Sequence, residues 1–249
     1  MIYLFIFLIS ILIGFINTLA GSGSLVMLPI LMNMGLSANV ANGTNRIAIF
    51  FQSLTGMIIF LKEKKLDWKK NLLPLIFPAI LGGLIGAYFS TQMKADDLKS
   101  FIVVLMFIML GVVILKPEKW LKTKENETLR LYHFSTWLLM FLAGFYGGFI
   151  QASVGVVLLS ILVLQIRYDL TEANGLKVLV IGAYALPVLC VFIWQGQVNW
   201  FWGIFTAVGQ SIGAYIGAKF ASNSPKAKIY TYYLLILVIL VSIIQFLST

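Results

Sequence analysis

The chain has 249 residues, of which 60% are hydrophobic and only 11% are charged. Soluble domains contain about 45–50% apolar and about 25% charged residues, so this composition excludes a protein of the aqueous phase and favours a polytopic membrane protein. The net charge of +9 would suggest nucleic acid as the partner of a soluble protein. In a membrane protein the same excess is typical of loops held on the cytoplasmic side, and we predict no nucleic-acid partner.

The N-terminal residues, Met1-Ile2-Tyr3-Leu4-Phe5, lack a basic region and continue into further hydrophobic sequence. This start is typical of a first membrane segment rather than of a cleaved signal peptide. Spans of about 20 apolar residues cross a bilayer, and runs of about 10–14 are more typical of re-entrant segments. Ten apolar runs predict an all-α protein, and charged residues cluster in five of the connections between them. The runs cover roughly residues 2–20, 24–34, 40–61, 71–91, 98–115, 134–150, 154–166, 172–194, 198–220 and 229–247.

A polar stretch that begins at Lys116 divides the chain into two similar halves. Ala41-Asn42-Gly43 in the first half matches Ala173-Asn174-Gly175 in the second, 132 residues later. Gly82-x-x-x-Gly86-Ala87 matches Gly213-x-x-x-Gly217-Ala218 at nearly the same spacing. Such an internal duplication is common in secondary transporters. We predict a first transmembrane repeat over 1–115, a basic polar linker over 116–133 and a second transmembrane repeat over 134–249.

The placement of basic residues indicates how the two repeats are oriented. If every long run crosses once, ten basic loop residues lie on one face of the membrane and six on the other. If residues 1–34 and 134–166 are hairpins that enter and leave on the same face, 14 share one face, and only Lys94 and Lys99 lie opposite. The positive-inside rule favours the hairpins. We therefore predict two inverted four-segment repeats with broken or re-entrant first and fifth segments and with both termini outside; parallel repeats are the alternative.

Each predicted hairpin has a polar or glycine-rich tip. Ala20-Gly21-Ser22-Gly23-Ser24 interrupts the first, and Gln151-Ala152-Ser153-Val154-Gly155 interrupts the second. Glycine permits unwound backbone, and irregular backbone at membrane depth is tolerated only where protein or a polar cavity satisfies it. Because both halves are broken at matching positions, we predict that the tips form a binding site. The alternative is a simple turn between two short helices.

Two charged residues, Arg46 and Lys177, lie inside the apolar runs, which contain no Asp or Glu away from their ends. A buried cation without a carboxylate partner is costly and is therefore expected to have a function. We predict that the missing partner is an anionic substrate. The alternative is that both long side chains reach back to the membrane interface.

Hydroxyl and amide groups near these charges suit an oxyanion, as do free N–H groups at the start of broken helices. Gln52 and Gln210 are further polar groups, each assigned to an interhelical hydrogen bond rather than to a ligand. The predicted substrate-binding residues are Asn17, Ser22, Gly23, Ser24, Asn42, Thr44, Asn45, Arg46, Gln151, Ser153, Asn174 and Lys177.

The sequence argues against an enzyme. The single cysteine, Cys190, excludes an intramolecular disulfide and a cysteine-based zinc cluster, and the single histidine, His133, is assigned to a solvated connection. Ser153 with Lys177 is a conceivable intramembrane dyad, but no motif fixes their geometry. We predict no catalytic residue, no metal site and no cofactor.

The stretch from Gly14-Phe15-Ile16-Asn17 to Leu25, followed by Pro29 and Ala41-Asn42-Gly43-Thr44-Asn45-Arg46, resembles the first-half signature of the sulfite exporter TauE/SafE family, also called the TSUP family. The second half resembles the repeated signature of that family over 144–148, 173–178 and 213–218. The resemblance covers essentially the whole chain. One departure is the segment 151–156, where the family is typically glycine-rich; the bulk of Gln151 at this tip affects the expected substrate more than the fold.

The resemblance implies secondary transport, usually outward, of a small sulfur-containing anion such as sulfite, thiosulfate or an organosulfonate. It also implies a multi-pass protein of a bacterial or archaeal plasma membrane. We expect the two repeats to rock against each other and alternate access to the site. A passive channel or permease for another small anion is the alternative. A coupling ion, proton or sodium, and a homo-oligomeric state are left open by the sequence.

Overall fold

The computed structural model of the chain describes residues 2–65, 72–94 and 131–224, together with residues 97, 229, 230, 233 and 237. This part is all-helical, which confirms the predicted all-α class, and the inverted arrangement of the two repeats stays a prediction. In chain order the helices are α1 (Ile2–Leu19), α2 (Ser24–Asn33), α3 (Ala38–Lys62), α4 (Leu73–Gln92), α5 (Phe134–Phe149), α6 (Val154–Ser160), α7 (Leu170–Trp194) and α8 (Trp200–Asn223); α6 continues directly into a π-helical segment, Ile161–Ile166.

Four of the described helices, α1, α3, α4 and α7, are long and apolar enough to cross a membrane. Large hydrophobic side chains such as Phe5, Leu12 and Ile58 are exposed on them, as expected where lipid is the solvent. Shorter apolar helices are α2, α5 and α6 with its π-helical continuation. The predicted run 98–115, the polar stretch 116–130 and most of the run 229–247 lie outside the described residues, so the predicted domain boundaries stay predictions.

Both helix interruptions lie where the sequence predicts the tips. The chain leaves α1 at Leu19 and resumes helical structure at Ser24, and it leaves α5 at Phe149 and resumes at Val154. Gly21 has a φ of 74°, a left-handed conformation that glycine adopts without a Cβ penalty. Ser153 is also left-handed, with a φ of 56°. Gly21 thus lies in the break between α1 and α2, and Ser153 directly precedes α6.

The helices pair across the two halves of the chain. α1 packs along α8, and α4 packs along α5. Glycines permit the close approach, since a Cβ at Gly14 would overlap the backbone of Gln210 and a Cβ at Gly82 would overlap the backbone of Phe141. Small residues at helix contacts are the usual basis of helix association in lipid.

Two bundles result, each containing helices from both halves. α3 packs against α8 beside α1, and we call this group the α3 bundle; α7 packs against α4 beside α5, and we call this group the α7 bundle. The bundles meet along α3 and α7, which carry the two Ala-Asn-Gly motifs. These two helices run antiparallel, because Gly43 of α3 lies against Phe192 of α7 and Gly56 lies against Val178.

Candidate functional site

The two tips meet in the interior of the protein. The N–H of Gly155 donates to the carbonyl oxygen of Gly21 at 3.2 Å, and a Cβ on either glycine would overlap the backbone of the other. Ser22 and Ser153 lie beside this contact. Their hydroxyl oxygens are buried and have no hydrogen-bond partner among the described residues. Buried polar groups are normally paired, so these two hydroxyls are candidates for binding a ligand.

Arg46 lies at the carbonyl end of α5. Its Nη1 donates to the carbonyl oxygen of Gly147 at 2.5 Å and to Oε1 of Gln151 at 2.8 Å. Its Nη2 donates to the carbonyl oxygen of Gly148 at 2.8 Å and to Oδ1 of Asn42 at 3.1 Å. The last carbonyls of a helix have no partner within the helix and carry a partial negative charge, and the guanidinium compensates for both.

Arg46 and Asn42, which lies one turn earlier on α3, together cap the carbonyl end of α5. Its Nδ2 donates to the carbonyl oxygen of Phe149 at 2.8 Å and to Oγ of Ser90 at 3.1 Å. The ring of Phe192 lies 5.0 Å from the guanidinium carbon of Arg46, within the range of a cation–π contact. Side chains of α3 thus satisfy the carbonyls of residues 147, 148 and 149.

Lys177 makes the equivalent contact at the carbonyl end of α1. Its Nζ lies 2.7 Å from the carbonyl oxygen of Thr18, 3.2 Å from that of Asn17 and 3.4 Å from that of Leu19. Its fourth oxygen neighbour is Oδ1 of Asn174, at 2.8 Å. Carbonyls 17, 18 and 19 correspond to carbonyls 147, 148 and 149, so each half supplies a cation to the broken helix of the other half.

Both cations are buried inside the protein, because the exposed fraction of Arg46 and of Lys177 is 0%, so neither side chain extends along the protein surface. The snorkelling alternative is therefore not the conformation in the structure. All hydrogen-bond partners of both side chains are neutral oxygens. Among the helices described, the sequence places an acidic residue only in α7, at Glu172 in its first turn. Since a helix C-terminus is equivalent to roughly half a negative charge, the two caps leave a net charge of roughly +1 around the tips.

A narrow cavity with room for about one water molecule lies between the tips and the facing sides of α3 and α7. Three predicted site residues, Asn17, Ser24 and Gln151, line it. The remaining lining residues are Thr18, Gly21, Ile49, Gln52, Ser53, Val154, Val178 and Ile181.

Amide groups in this cavity hold one another in place. Nδ2 of Asn17 donates to Oε1 of Gln52 at 3.3 Å, and Oδ1 of Asn17 accepts from the backbone N–H of Ser24 at 3.2 Å. Gly23 lies beside Asn17, where a Cβ would be 2.9 Å from Oδ1. Gln151 links the cavity to the cap on α5, because its Oε1 accepts from Arg46.

Two predicted site residues face α8 rather than the cavity. Oγ1 of Thr44 accepts from the backbone N–H of Asn199 at 2.9 Å, and Oδ1 of Asn45 accepts from Nε2 of Gln210 at 3.5 Å. The twelve predicted residues are thus divided among the cavity, the tips, the two caps and the contact with α8. Substrate contact by any of them stays a prediction.

Gln52 and Ser53 are cavity residues that sequence reasoning did not assign to the site. The available signal was spacing: Ile49 and Ser53 follow Arg46 by three and seven residues, which places all three on one face of α3.

Gly21→Ala is expected to destabilise the protein by about 3 kcal/mol, because the methyl group would overlap the backbone of Gly155 and the left-handed conformation would be strained. Gly35→Ala is the matched control. Gly35 is also left-handed, with a φ of 88°, but a Cβ there meets no heavy atom within 4 Å, so we expect a loss of only about 1 kcal/mol. Thermal unfolding of the purified variants measures the difference, and equal losses would contradict the tip contact.

Comparison with known proteins identifies the family. The profile of the family described as sulfite exporter TauE/SafE matches residues 6–245. A probable membrane transporter protein of Escherichia coli, YfcA, is 29% identical over 86% of this chain and 78% of its own length. The probable membrane transporter protein YdhB of Bacillus subtilis is 25% identical over 91% of both chains, and ORF9 of a Sinorhizobium species is 26% identical over 87% of this chain and 82% of its own.

No solved structure matches the chain significantly. The family comprises membrane transporters and is not a class of enzymes. The family match covers nearly the whole chain and includes both tips, both buried cations and the cavity. The chain therefore belongs to the sulfite exporter TauE/SafE family of membrane transporters.

Proposed function

We propose that the protein is a multi-pass secondary transporter of a prokaryotic plasma membrane that exports a small sulfur-containing anion: sulfite, thiosulfate or an organosulfonate. Membership of the TauE/SafE family supports this class of substrate. The observation that carries the anionic substrate is the pair of buried cations, Arg46 and Lys177, whose partners are neutral oxygens. A net positive charge buried in the membrane region favours entry of an anion.

The substrate sits between the two tips in this proposal. The unpartnered hydroxyls of Ser22 and Ser153 and the amides of Asn17 and Gln151 supply hydrogen-bond donors from both halves. Gln52 adds an amide from α3. Arg46 and Lys177 act from behind the tips through their charge, while Gly23, Asn42, Asn174, Thr44 and Asn45 hold the surrounding backbone and helices in position.

The size of the cavity supports a carrier rather than a passive channel. A cavity with room for about one water molecule is too small for an oxyanion, so binding requires the tips or the two bundles to move apart. A carrier passes through such a closed state between its outward-open and inward-open forms, whereas a passive channel conducts through a continuous pore.

The antiparallel packing of α3 against α7 supports the inverted arrangement of the repeats. In inverted-topology repeats, equivalent helices cross the membrane in opposite directions, and alternating access arises from rocking of one group of helices against the other. Because α1 packs with α8 and α4 with α5, the moving groups in our proposal are the α3 bundle and the α7 bundle.

Thermal unfolding of the purified protein in a panel of anions tests the substrate class. The panel contains sulfite, sulfate, thiosulfate, sulfoacetate, taurine, chloride and acetate at matched ionic strength. A ligand that binds only the folded state stabilises it by about 2.7 kcal/mol at a hundredfold excess over Kd. We expect a selective shift with one sulfur oxyanion, and no selective shift with any of them would contradict the substrate assignment.

Gln52→Leu is expected to weaken this anion-induced shift by about tenfold in Kd, or about 1.4 kcal/mol, because it removes an amide from the cavity. Gln210→Leu is the matched control, since Gln210 is also buried but contacts Asn45 outside the cavity. Equal weakening in both variants would place the anion elsewhere. Exchange of labelled anion in proteoliposomes then separates the mechanisms: acceleration by unlabelled anion on the opposite side is expected for a carrier and absent for a channel.

A further inference from the structure

Lys177 has the surroundings of a bound cation. Four oxygens converge on its Nζ at 2.7 to 3.4 Å: three successive carbonyls at the end of α1 and Oδ1 of Asn174. The carbonyl ends of broken helices are where membrane transporters bind coupling cations. We propose that Lys177 is a tethered cation, whose ammonium fills a position in which the end of α1 would otherwise bind a free monovalent cation.

The geometry of the donor set supports a single compact cation at this position. An ammonium group is a compact point charge with three N–H donors, and four close oxygens saturate it. The oxygens are neutral carbonyl and amide groups, and such hard oxygen ligands suit small cations. The side chain is buried, so neither bulk solvent nor a headgroup reaches the ammonium.

The cap on α5 differs because its oxygens do not converge on one atom. There the carbonyls are shared between the planar guanidinium of Arg46 and the amide of Asn42, and the two Nη atoms of Arg46 donate to separate carbonyls, those of Gly147 and Gly148. A small cation has no single position from which it replaces this set. The two caps therefore predict opposite behaviour when their cations are removed.

The proposal predicts different cation binding in the wild-type protein and in a variant that lacks the lysine side chain. A sodium ion does not bind at the end of α1 in the wild-type protein, because the position is filled by Lys177. Removal of the side chain in Lys177→Ala leaves the carbonyls of Asn17, Thr18 and Leu19 with a gap that an exogenous cation can enter. Methylammonium, which reproduces the end of the lysine side chain, is the best replacement.

The test is thermal unfolding of the full chain in four chloride salts at equal ionic strength: N-methyl-D-glucamine, sodium, potassium and methylammonium. In N-methyl-D-glucamine, Lys177→Ala is expected to lower Tm by roughly 6–12 °C relative to wild type. Methylammonium is expected to restore at least about half of that loss. Wild type, Arg46→Ala and Lys219→Ala, an exposed lysine of α8, are expected to show no selective response to methylammonium.

Each outcome decides the proposal. The proposal is overturned if Lys177→Ala is as stable as wild type in N-methyl-D-glucamine, or if its Tm responds to no cation more than that of Lys219→Ala does. It is also overturned if folded Lys177→Ala protein is obtained in none of the four salts. Recovery of folded protein only in methylammonium supports it. Lys177→Gln, which keeps a neutral donor in the same space, is expected to be destabilised without a cation response. The four salts share one anion, chloride, and contain no sulfur-containing anion, so a failed anion panel would leave this result unaffected.

Discussion

Replacing Arg46 with methionine is expected to lower the free energy of unfolding by about 3–5 kcal/mol, since the change leaves several buried acceptors without a donor. The carbonyls of Gly147 and Gly148 lose their guanidinium partner, and Oε1 of Gln151 loses a hydrogen bond beside the cavity. Methionine keeps an unbranched apolar side chain but has no donor, so the loss is mainly one of hydrogen bonds and charge. The corresponding decrease in Tm of the purified protein is roughly 6–20 °C.

Arg46→Lys separates the contribution of charge from that of geometry. An ammonium retains the positive charge at the end of α5 but lacks the planar fork that reaches two carbonyls together. We expect this variant to recover about half of the stability lost in Arg46→Met. A methionine variant with the Tm of wild type would show that the end of α5 does not depend on Arg46, and an Arg46→Lys variant as unstable as Arg46→Met would show that charge contributes little.

The helices and their interruptions were accessible from the sequence because both depend on local properties. Apolar runs in a chain with 11% charged residues predict membrane helices, and the polar and glycine-containing segments around Gly21 and Ser153 predict the breaks. The pairing of helices was not accessible. The Gly82–Gly86 and Gly213–Gly217 patterns indicate that a helix packs closely against another, but they do not specify that the partners are α5 and α1.

The candidate site was likewise predictable only where it depends on local sequence. Sequence alone identified Arg46 and Lys177 as the buried cations, because charge within an apolar run is visible in one chain. Their partners were not identifiable, since they are backbone carbonyls that every residue carries. Arg46 contacts Gly147, 101 residues away, and Lys177 contacts Thr18, 159 residues away. A cation that caps a helix and a cation that binds a substrate directly therefore have the same sequence signature.

The prediction with the largest effect on transport concerns the contact between the two bundles. The double variant Ser53→Cys and Gly182→Cys is made in a Cys190→Ser background. Oxidation to the 53–182 disulfide is expected to reduce the exchange of labelled anion at least tenfold. A Cβ at Gly182 lies 3.5 Å from Cβ of Ser53, within about the range that a disulfide requires. The bond joins α7 to α3, so it prevents the relative movement of the bundles that alternating access needs. Reduction is expected to restore the rate of the unoxidised double variant, which is the baseline because Ser53 lines the cavity.

The pair Ile47→Cys and Gly203→Cys is the matched control for that experiment. A Cβ at Gly203 lies 3.3 Å from Cβ of Ile47, and both residues belong to the α3 bundle, so this disulfide leaves the contact between bundles free. We expect its oxidation to change the exchange rate by less than about twofold, because helices that move together lose no freedom. Equal inhibition by both disulfides would mean that the two bundles are not the moving groups. Full transport by the oxidised 53–182 pair would mean that α3 and α7 do not move against each other, and the mechanism would then have to depend on movement of the tips alone.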